Sequence, residues 1–362
     1  MAISTFNGLN VALRGLLAQQ RALDVTSHNI ANASTEGYTR QEAVLGAEAP
    51  LANVSVWGMI FPGQLGQGVT VEGYRRIRDV FTDASLRGST SHQESVSVTY
   101  DQLANIASTL PEQGGNGLKG LLTQFWASWQ NVANTPENLA ARQALAEQSN
   151  ALAAAIRSAA TALHQQRLDA DAQMGDSTTG IISQVNAIGA QIALLNDQIG
   201  KAVEAGATFD PATLAIVKPG QAPNDLLDRR DKLLDDLAKL VNISSVTYDD
   251  RQRATIAVAG LTLVAVPAGA TTLTRNDIDT AFAGGGLKGG QLQGLEDSYA
   301  NLLDESDPNS YASQLNALAL ALHDEINTRH AQGDDLNGNG GGQFWDLNAA
   351  PWGGAGAAAR LT

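Results

Sequence analysis

A narrow apolar stripe governs the first thirty residues. Phe6, Leu9, Leu13, Leu16, Leu23 and Ile30 fall on an a/d heptad grid, interrupted at Gln20 and Ser27. Two apolar positions in seven make a seam one side chain wide, the pattern of a helix that pairs with another helix. A peripheral helix packed on its own domain fits the stripe equally well. Narrow seams recur downstream. Leu121, Phe125 and Trp129 stand at i, i+4 and i+8, and Leu145, Leu152, Ile156 and Leu163 run near heptad spacing. Ile181, Val185, Ile188, Ile192, Leu195 and Ile199 advance in steps of 4-3-4-3-4. Long alanine-rich helices with such seams predict a mainly α fold, an elongated antiparallel helical bundle opened by a coiled-coil-type helix.

Elsewhere the period fails or changes. Asn29 to Pro62 reads as a long connection, with turn chemistry at Asn29, Asn32, Ser34, Thr35 and Gly37 and punctuation at Pro50 and Pro62. A short strand signal follows at Gly68–Val71. A Gly-rich break covers Gly114–Gly120, and Thr135-Pro136 reads as an N-cap with proline at the first helical position. Pro211, Pro219 and Pro223 mark a loop, and Asn224 reads as the cap of a helix over Leu226–Val241. The period then becomes two. Ile243–Tyr248, Arg253–Ala259 and Leu261–Val266 predict three short strands, a small β insert ended by Gly284–Gly290. A last helix is expected from about Ser310 to Arg329. The predicted organisation is an assembly helix and turn over 1–40, an extended segment plus long-helix bundle over 41–242, the β insert over 243–287, a helical return over 288–332, and the start of a further domain over 333–362.

Composition removes several function classes. With 37 acidic and 23 basic side chains the net charge is −14, which argues against nucleic acid as a partner. The absence of cysteine removes a disulfide framework and thiolate metal sites. Apolar runs reach six residues, whereas a membrane-spanning helix needs about 20, so no membrane insertion is expected. The N-terminus lacks the basic and apolar regions of a secretory signal peptide, which leaves the cytoplasm or export by another route.

Candidate chemical motifs are weak. Asp335, Asn337 and Asn339, with Gly340 and Asp346, match ligand positions 1, 3, 5, 6 and 12 of a calcium loop. Asp in place of the final Glu, and Gly342 at position 8, favour an Asx- and Gly-rich turn. Gly115–Gly120 fits G-x-G-x-x-G but lies between helices rather than after a strand, so it reads as a loop. None of the five histidines forms H-E-x-x-H. Asp235/Asp236 and Asp249/Asp250 fall in polar, solvated stretches, and Asp228-Arg229-Arg230-Asp231 reads as a solvated helix face with local ion pairs. No catalytic residue, cofactor or metal is expected.

Residues Ala22-Leu23-Asp24-Val25-Thr26-Ser27-His28-Asn29-Ile30-Ala31-Asn32-Ala33-Ser34-Thr35-Glu36-Gly37-Tyr38-Thr39-Arg40-Gln41 resemble the signature of the bacterial flagellar rod–hook family. The ending Gly37–Gln41 is most similar to members at the hook–filament junction, since rod and hook subunits usually turn to lysine there. Gln67–Val71 with Arg76 and Asp79, Phe125-Trp126 with Pro136 and Ala141–Leu145, Asn224–Leu233, and His330–Gly333 with Asp335–Gly338 extend the resemblance over nearly all of residues 1–346. It implies a non-enzymatic structural adaptor, exported by the flagellar type III route without a cleaved signal peptide and placed outside the cell at the hook–filament junction. The implied partners are a homo-oligomeric ring of like subunits, hook subunits, the next hook-associated protein or filament subunits, and an export chaperone. Phe6, Leu9, Leu13, Leu16, Leu23 and Ile30 would pack in the inner tube, and Asn29, Asn32, Gly37, Tyr38 and Arg40 would redirect the chain outward. The family pattern continues into a long C-terminal helix, so a sequence ending soon after Phe344-Trp345 is expected to be a fragment or a truncated frame. A distal rod or hook subunit is the alternative, and a calcium-dependent cell-wall-active enzyme using Asp335–Asp346 is an alternative of another class.

Overall fold

A computed structural model describes residues 5–50, 66–110, 117–175, 178–209, 216–218, 222–334, 338–347, 358 and 361. Nine α-helices dominate these residues. The first half of the chain holds α1 (Thr5–Ala31), β1 (Gln41–Ala47), β2 (Val69–Arg76), α2 (Val80–Thr109), α3 (Leu118–Asn134) and α4 (Leu139–Met174). Then come α5 (Ile181–Ala205), β3 (Thr208–Phe209), β4 (Ile216–Lys218) and α6 (Asn224–Leu240). A four-stranded antiparallel meander follows: β5 (Ile243–Tyr248), β6 (Ala254–Val258), β7 (Leu261–Ala265) and β8 (Gly269–Ala270). The last elements are α7 (Arg275–Ala283), α8 (Gly290–Asp297), which runs on into a π-helical turn at Ser298–Leu302, and α9 (Tyr311–His330). The described chain sorts into two compact units, one of residues 1–90 and 185–273 and one of residues 91–184 and 274–362.

In the first unit, α1 packs along a two-stranded antiparallel sheet of β1 and β2. The strands pair from Gln41 opposite Arg76 to Ala47 opposite Val69, and a bulge leaves Glu72 without a partner. The α1 face turned to the sheet includes Val11, Ala18, Ala22, Val25 and Asn29 at helical spacing, flanked by Arg14, Leu17 and Arg21. Ile199 and Val203 of α5 pack with Leu227 of α6. Asn196 of α5 is buried and its amide pairs with both backbone groups of Ala254, donating at 2.8 Å and accepting at 2.9 Å. Asn186 treats Leu273 the same way, with both bonds at 2.8 Å.

The second unit is built on α4. Leu145, Ser149, Leu152, Ile156, Ala159, Leu163, Ala170 and Met174 form its buried stripe. Phe125 of α3 and Leu315, Ala319, Leu322 and Ile326 of α9 complete the core with Trp345. Phe125 stacks on Trp345 with ring centroids 5.2 Å apart, and Phe344 meets Trp129 edge-on. From Ser91 onward, α2 approaches α8 through small residues. A Cβ on Gly294 would lie 2.6 Å from the Ser95 carbonyl, so glycine permits this contact.

Several local expectations are corrected. The supposed connection after Asn29 contains β1, which the strand signal at Gly68–Val71 needs as its partner. Thr135 ends α3 by back-bonding to the Asn131 carbonyl; α4 starts at Leu139 and is capped by Asn138, whose Oδ1 accepts from Ala140 N and Ala141 N. Pro223 occupies the N-cap position of α6, and the Asn224 side chain instead donates to Gln41 Oε1 and the Tyr74 carbonyl. The β segment carries a fourth strand and is followed by α7, which a Thr274–Asp277 capping box opens. Pro62, Pro211, Pro219, Gly115 and Asp335–Asn337 lie outside the described residues.

Replacing the true cap should be costlier than replacing the apparent one. Asn138→Ala is expected to destabilise the protein by about 1 kcal/mol, and Thr135→Ala to stay within about 0.5 kcal/mol. Thermal unfolding followed by circular dichroism checks this, and equal losses would contradict the assigned start of α4.

Candidate functional site

The turn after α1 is organised by one amide. Asn29 Nδ2 donates to the Gln41 carbonyl at 2.8 Å, and its Oδ1 accepts from Gln41 N at 2.9 Å. That oxygen also accepts from Tyr38 Oη at 2.7 Å. Tyr38 has spent its one proton there, so the 2.9 Å contact between His28 Nδ1 and Tyr38 Oη requires the histidine nitrogen to donate. Burial, followed by Asp228 and Asp225, raises the Tyr38 pKa, which keeps the phenol protonated. Asn32 Nδ2 donates to the His28 carbonyl and closes the helix end. Gly37 adopts φ +81°, and a Cβ there would sit 3.2 Å from Lys232 Cβ on α6, so both backbone and neighbour call for glycine. Arg40 has an exposed side chain, while its carbonyl accepts from Ile77 N at 2.8 Å. Four of the five predicted turn residues thus share this one hydrogen-bonded corner, and Arg40 joins it through its backbone.

Beside the turn lies a buried charge network. Arg76 Nη1 donates to Asp228 Oδ1 at 2.8 Å and to Asp231 Oδ2 at 2.6 Å. Asp228 Oδ2 also accepts from Thr39 N at 3.2 Å, which joins the network to the turn. Arg78 pairs with Asp83 and lies 3.6 Å from Asp231 and 3.5 Å from Asp235. Arg87 donates from Nε to Asp235 at 2.6 Å. Burial lowers the Arg78 pKa, but its bond to Asp83 and the nearby Asp231 and Asp235 outweigh that effect and raise it. Asp228, Arg230 and Asp231 are all under 10% exposed, which overturns the reading of Asp228–Asp231 as a solvated helix face. Asp235 is likewise engaged rather than merely solvated. The available signal was the i, i+3, i+7 spacing of Asp228, Asp231 and Asp235, an acidic stripe on one helix face that answers the basic trio Arg76, Arg78 and Arg87.

Of the six seam residues of α1, five lie on a different face from the one on the sheet, and Ile30 borders the hollow between the helix end and β1. Phe6, Leu9, Leu13, Leu16, Leu23 and Ile30 are each between 50% and 72% exposed. Among the described residues no three His, Asp or Glu side chains are placed to share a metal ion. The carboxylates gathered beside the turn are held by guanidinium groups, an arrangement that ties segments together.

The family described as flagellar hook-associated protein FlgK helical domain matches residues 103–345, and that described as flagella basal body rod protein matches residues 9–39. Flagellar hook-associated protein 1 of Salmonella typhimurium is 31% identical over 358 residues, covering 94% of this chain and 59% of that protein. The protein of the same name from Bacillus subtilis is 34% identical over 246 residues, 68% of this chain and 45% of its own length. The chain therefore spans about three-fifths of the Salmonella relative's length. In fold it is similar to the flagellar hook junction protein FlgK from Burkholderia pseudomallei, with a TM-score of 0.57 at 23% identity over 74% of this chain and 47% of that one.

Removing Arg76 strands two buried carboxylates. Arg76→Met is expected to cost about 3–5 kcal/mol, with part of the loss recovered when Asp231→Asn is added. Urea denaturation of the two single variants and the double variant measures the coupling, and strict additivity would show that the pair does not interact.

Proposed function

The chain belongs to the flagellar hook-associated protein FlgK family, and from that premise we propose that it is a structural subunit joining the flagellar hook to the filament. It works without catalysis, as one member of a ring of like subunits, with hook subunits on one side and the next hook-associated protein or filament subunits on the other. It reaches that place outside the cell by flagellar type III export, without a cleaved signal peptide and with an export chaperone as a further partner. The carrying observation is the exposed stripe Phe6, Leu9, Leu13, Leu16, Leu23 and Ile30 on a helix whose other face is already occupied by the β1–β2 sheet. Identical subunits that meet head to tail generate rings and tubes by contact alone. The stripe supplies such a contact in the inner tube. The corner made by Asn29, Asn32, Gly37, Tyr38 and Arg40 redirects the chain away from it.

Leu13→Asp or Leu16→Asp, introduced into the chromosomal gene, should abolish incorporation at the junction while the helical content of the purified chain stays unchanged. Normal incorporation of both variants would remove the stripe from assembly. In a strain lacking the gene, electron microscopy is expected to show bare hooks, with flagellin shed into the medium. Missing hooks would move the protein inward to the rod or hook, and unchanged flagella would overturn the reading.

A further inference from the structure

The first turn of α7 puts one guanidinium where three helices of the second unit meet. Arg275 Nε donates to Asp171 of α4 at 3.2 Å, and its Nη1 donates to Asp279 one turn further along α7. Nη1 also lies 2.7 Å from Glu296 Oε2 of α8. The same guanidinium stands over the Tyr299 ring at 5.2 Å, in the π-helical turn that continues α8. Arg167 of α4 covers that ring at 4.4 Å and pairs with Asp304 at 3.3 Å.

The charges around Arg275 do not balance, since one guanidinium faces three carboxylates. Asp171 and Asp279 are half-exposed and screened by water, whereas the Glu296 side chain is only 4% exposed. Glu296 Oε2 is buried and, among the described residues, accepts no hydrogen bond, while Nη1 is aligned on Asp279. A buried carboxylate with one unbonded oxygen and two acidic neighbours is more stable as the neutral acid. Burial raises the Glu296 pKa, Arg275 opposes that, and Asp279 and Asp171 add to it, so the net shift is upward. Burial likewise raises Asp297, which accepts from Asn301 Nδ2 at 3.2 Å. From α2, Glu94 meets α8 five positions earlier, accepting from Gln291 Nε2 at 3.0 Å.

We propose that Arg275, Glu296 and the two aspartates form a proton-operated clasp. On mild acidification Glu296 becomes neutral, the guanidinium is left to Asp171 and Asp279, and the seating of α7 and α8 on α4 tightens. A group that holds its proton more tightly in the folded chain adds stability as pH falls through its folded pKa, and withdraws it as pH rises. The gain therefore falls between neutrality and the ordinary carboxylate range. Asp277 has the opposite sign: its bonds from Thr274 lower its pKa, so the cap of α7 is lost only below that range. The clasp does not rest on the flagellar reading.

Thermal unfolding of the full chain at about pH 7.5 and about pH 5, with and without Glu296→Gln, tests this. The variant should melt about 2–4 °C above the unaltered chain at the higher pH, the scale of a one-unit shift in a unit of this size. It should lose most of that advantage at the lower pH. Histidines titrate over the same interval in both proteins, so their contribution cancels in the difference. A difference independent of pH, or a variant that melts lower at pH 7.5, would overturn the proposal. If Glu296→Gln does not fold, Asp279→Asn at the half-exposed rim carries the test. Relieved of one acidic neighbour, Glu296 should then titrate at lower pH, and the chain should gain less on acidification than the unaltered one. An equal or larger gain would overturn the clasp.

Discussion

Arg76 reaching Asp228 and Asp231 is the contact from which the first unit's layout follows. The guanidinium sits at the end of β2 and the two carboxylates on one face of α6, separated from it by about 150 residues of chain. A buried ion pair is poor evidence for net stability, since desolvation consumes much of the Coulomb gain. Its consequence here is register. Asp228 accepts from Arg76 with one oxygen and from Thr39 N with the other, so a slip of the strand along the helix would break both bonds together. The turn after α1 and the end of β2 are therefore located by one side chain's two oxygens, while Arg87 ties the start of α2 to Asp235 of α6.

A second device recurs where helices meet extended backbone. Asn29 pairs with Gln41, Asn186 with Leu273 and Asn196 with Ala254, each through one donated and one accepted hydrogen bond. Asn327 does similar work in the second unit, donating to the Trp345 carbonyl and accepting from Phe344 N and Trp345 N. A carboxamide presents the same donor and acceptor as a peptide group, so a helix can satisfy a strand edge or a loop as another strand would. This matters in an alanine-rich chain. Narrow seams bury little apolar surface per turn, and specific amide pairs then decide where an extended segment rests.

What could be read from the sequence divides along the same line. Helix seams are local and periodic, so α4, α5 and α9 were legible from spacing alone, as were β5, β6 and β7 from alternation. The strand β1, Gln-Glu-Ala-Val-Leu-Gly-Ala, carries few β-branched residues and becomes a strand because β2 pairs with it. Asn138 and Asn224 illustrate a reversal: both are good caps by type, yet one caps and the other reaches sideways to Gln41 and Tyr74. The burial of Asp228 and Asp231 depends on an arginine about 150 positions away, which no window along the helix contains. Turn chemistry at Asn29, Asn32 and Gly37 pointed to a chain reversal, but the bonds from Asn29 to Gln41 and Tyr38 depend on residues 9 to 12 positions apart, which turn propensity does not specify.

The two faces of α1 invert the usual arrangement of side-chain size. Ala18 and Ala22 sit at the centre of the face that meets the strands, while Phe6, Leu9, Leu13, Leu16 and Leu23 are exposed on the other. Small residues allow a close seat on the sheet but bury little area, so that contact orients the helix more than it stabilises it. Covering the outer stripe would release on the order of 10 kcal/mol gross at the usual value for burying such side chains, before the cost of association. Most of the apolar free energy available to this helix therefore lies on the face that its own sheet does not reach. The proposed role in assembly rests on this asymmetry: the sheet fixes the direction of the helix while the outer stripe stays open.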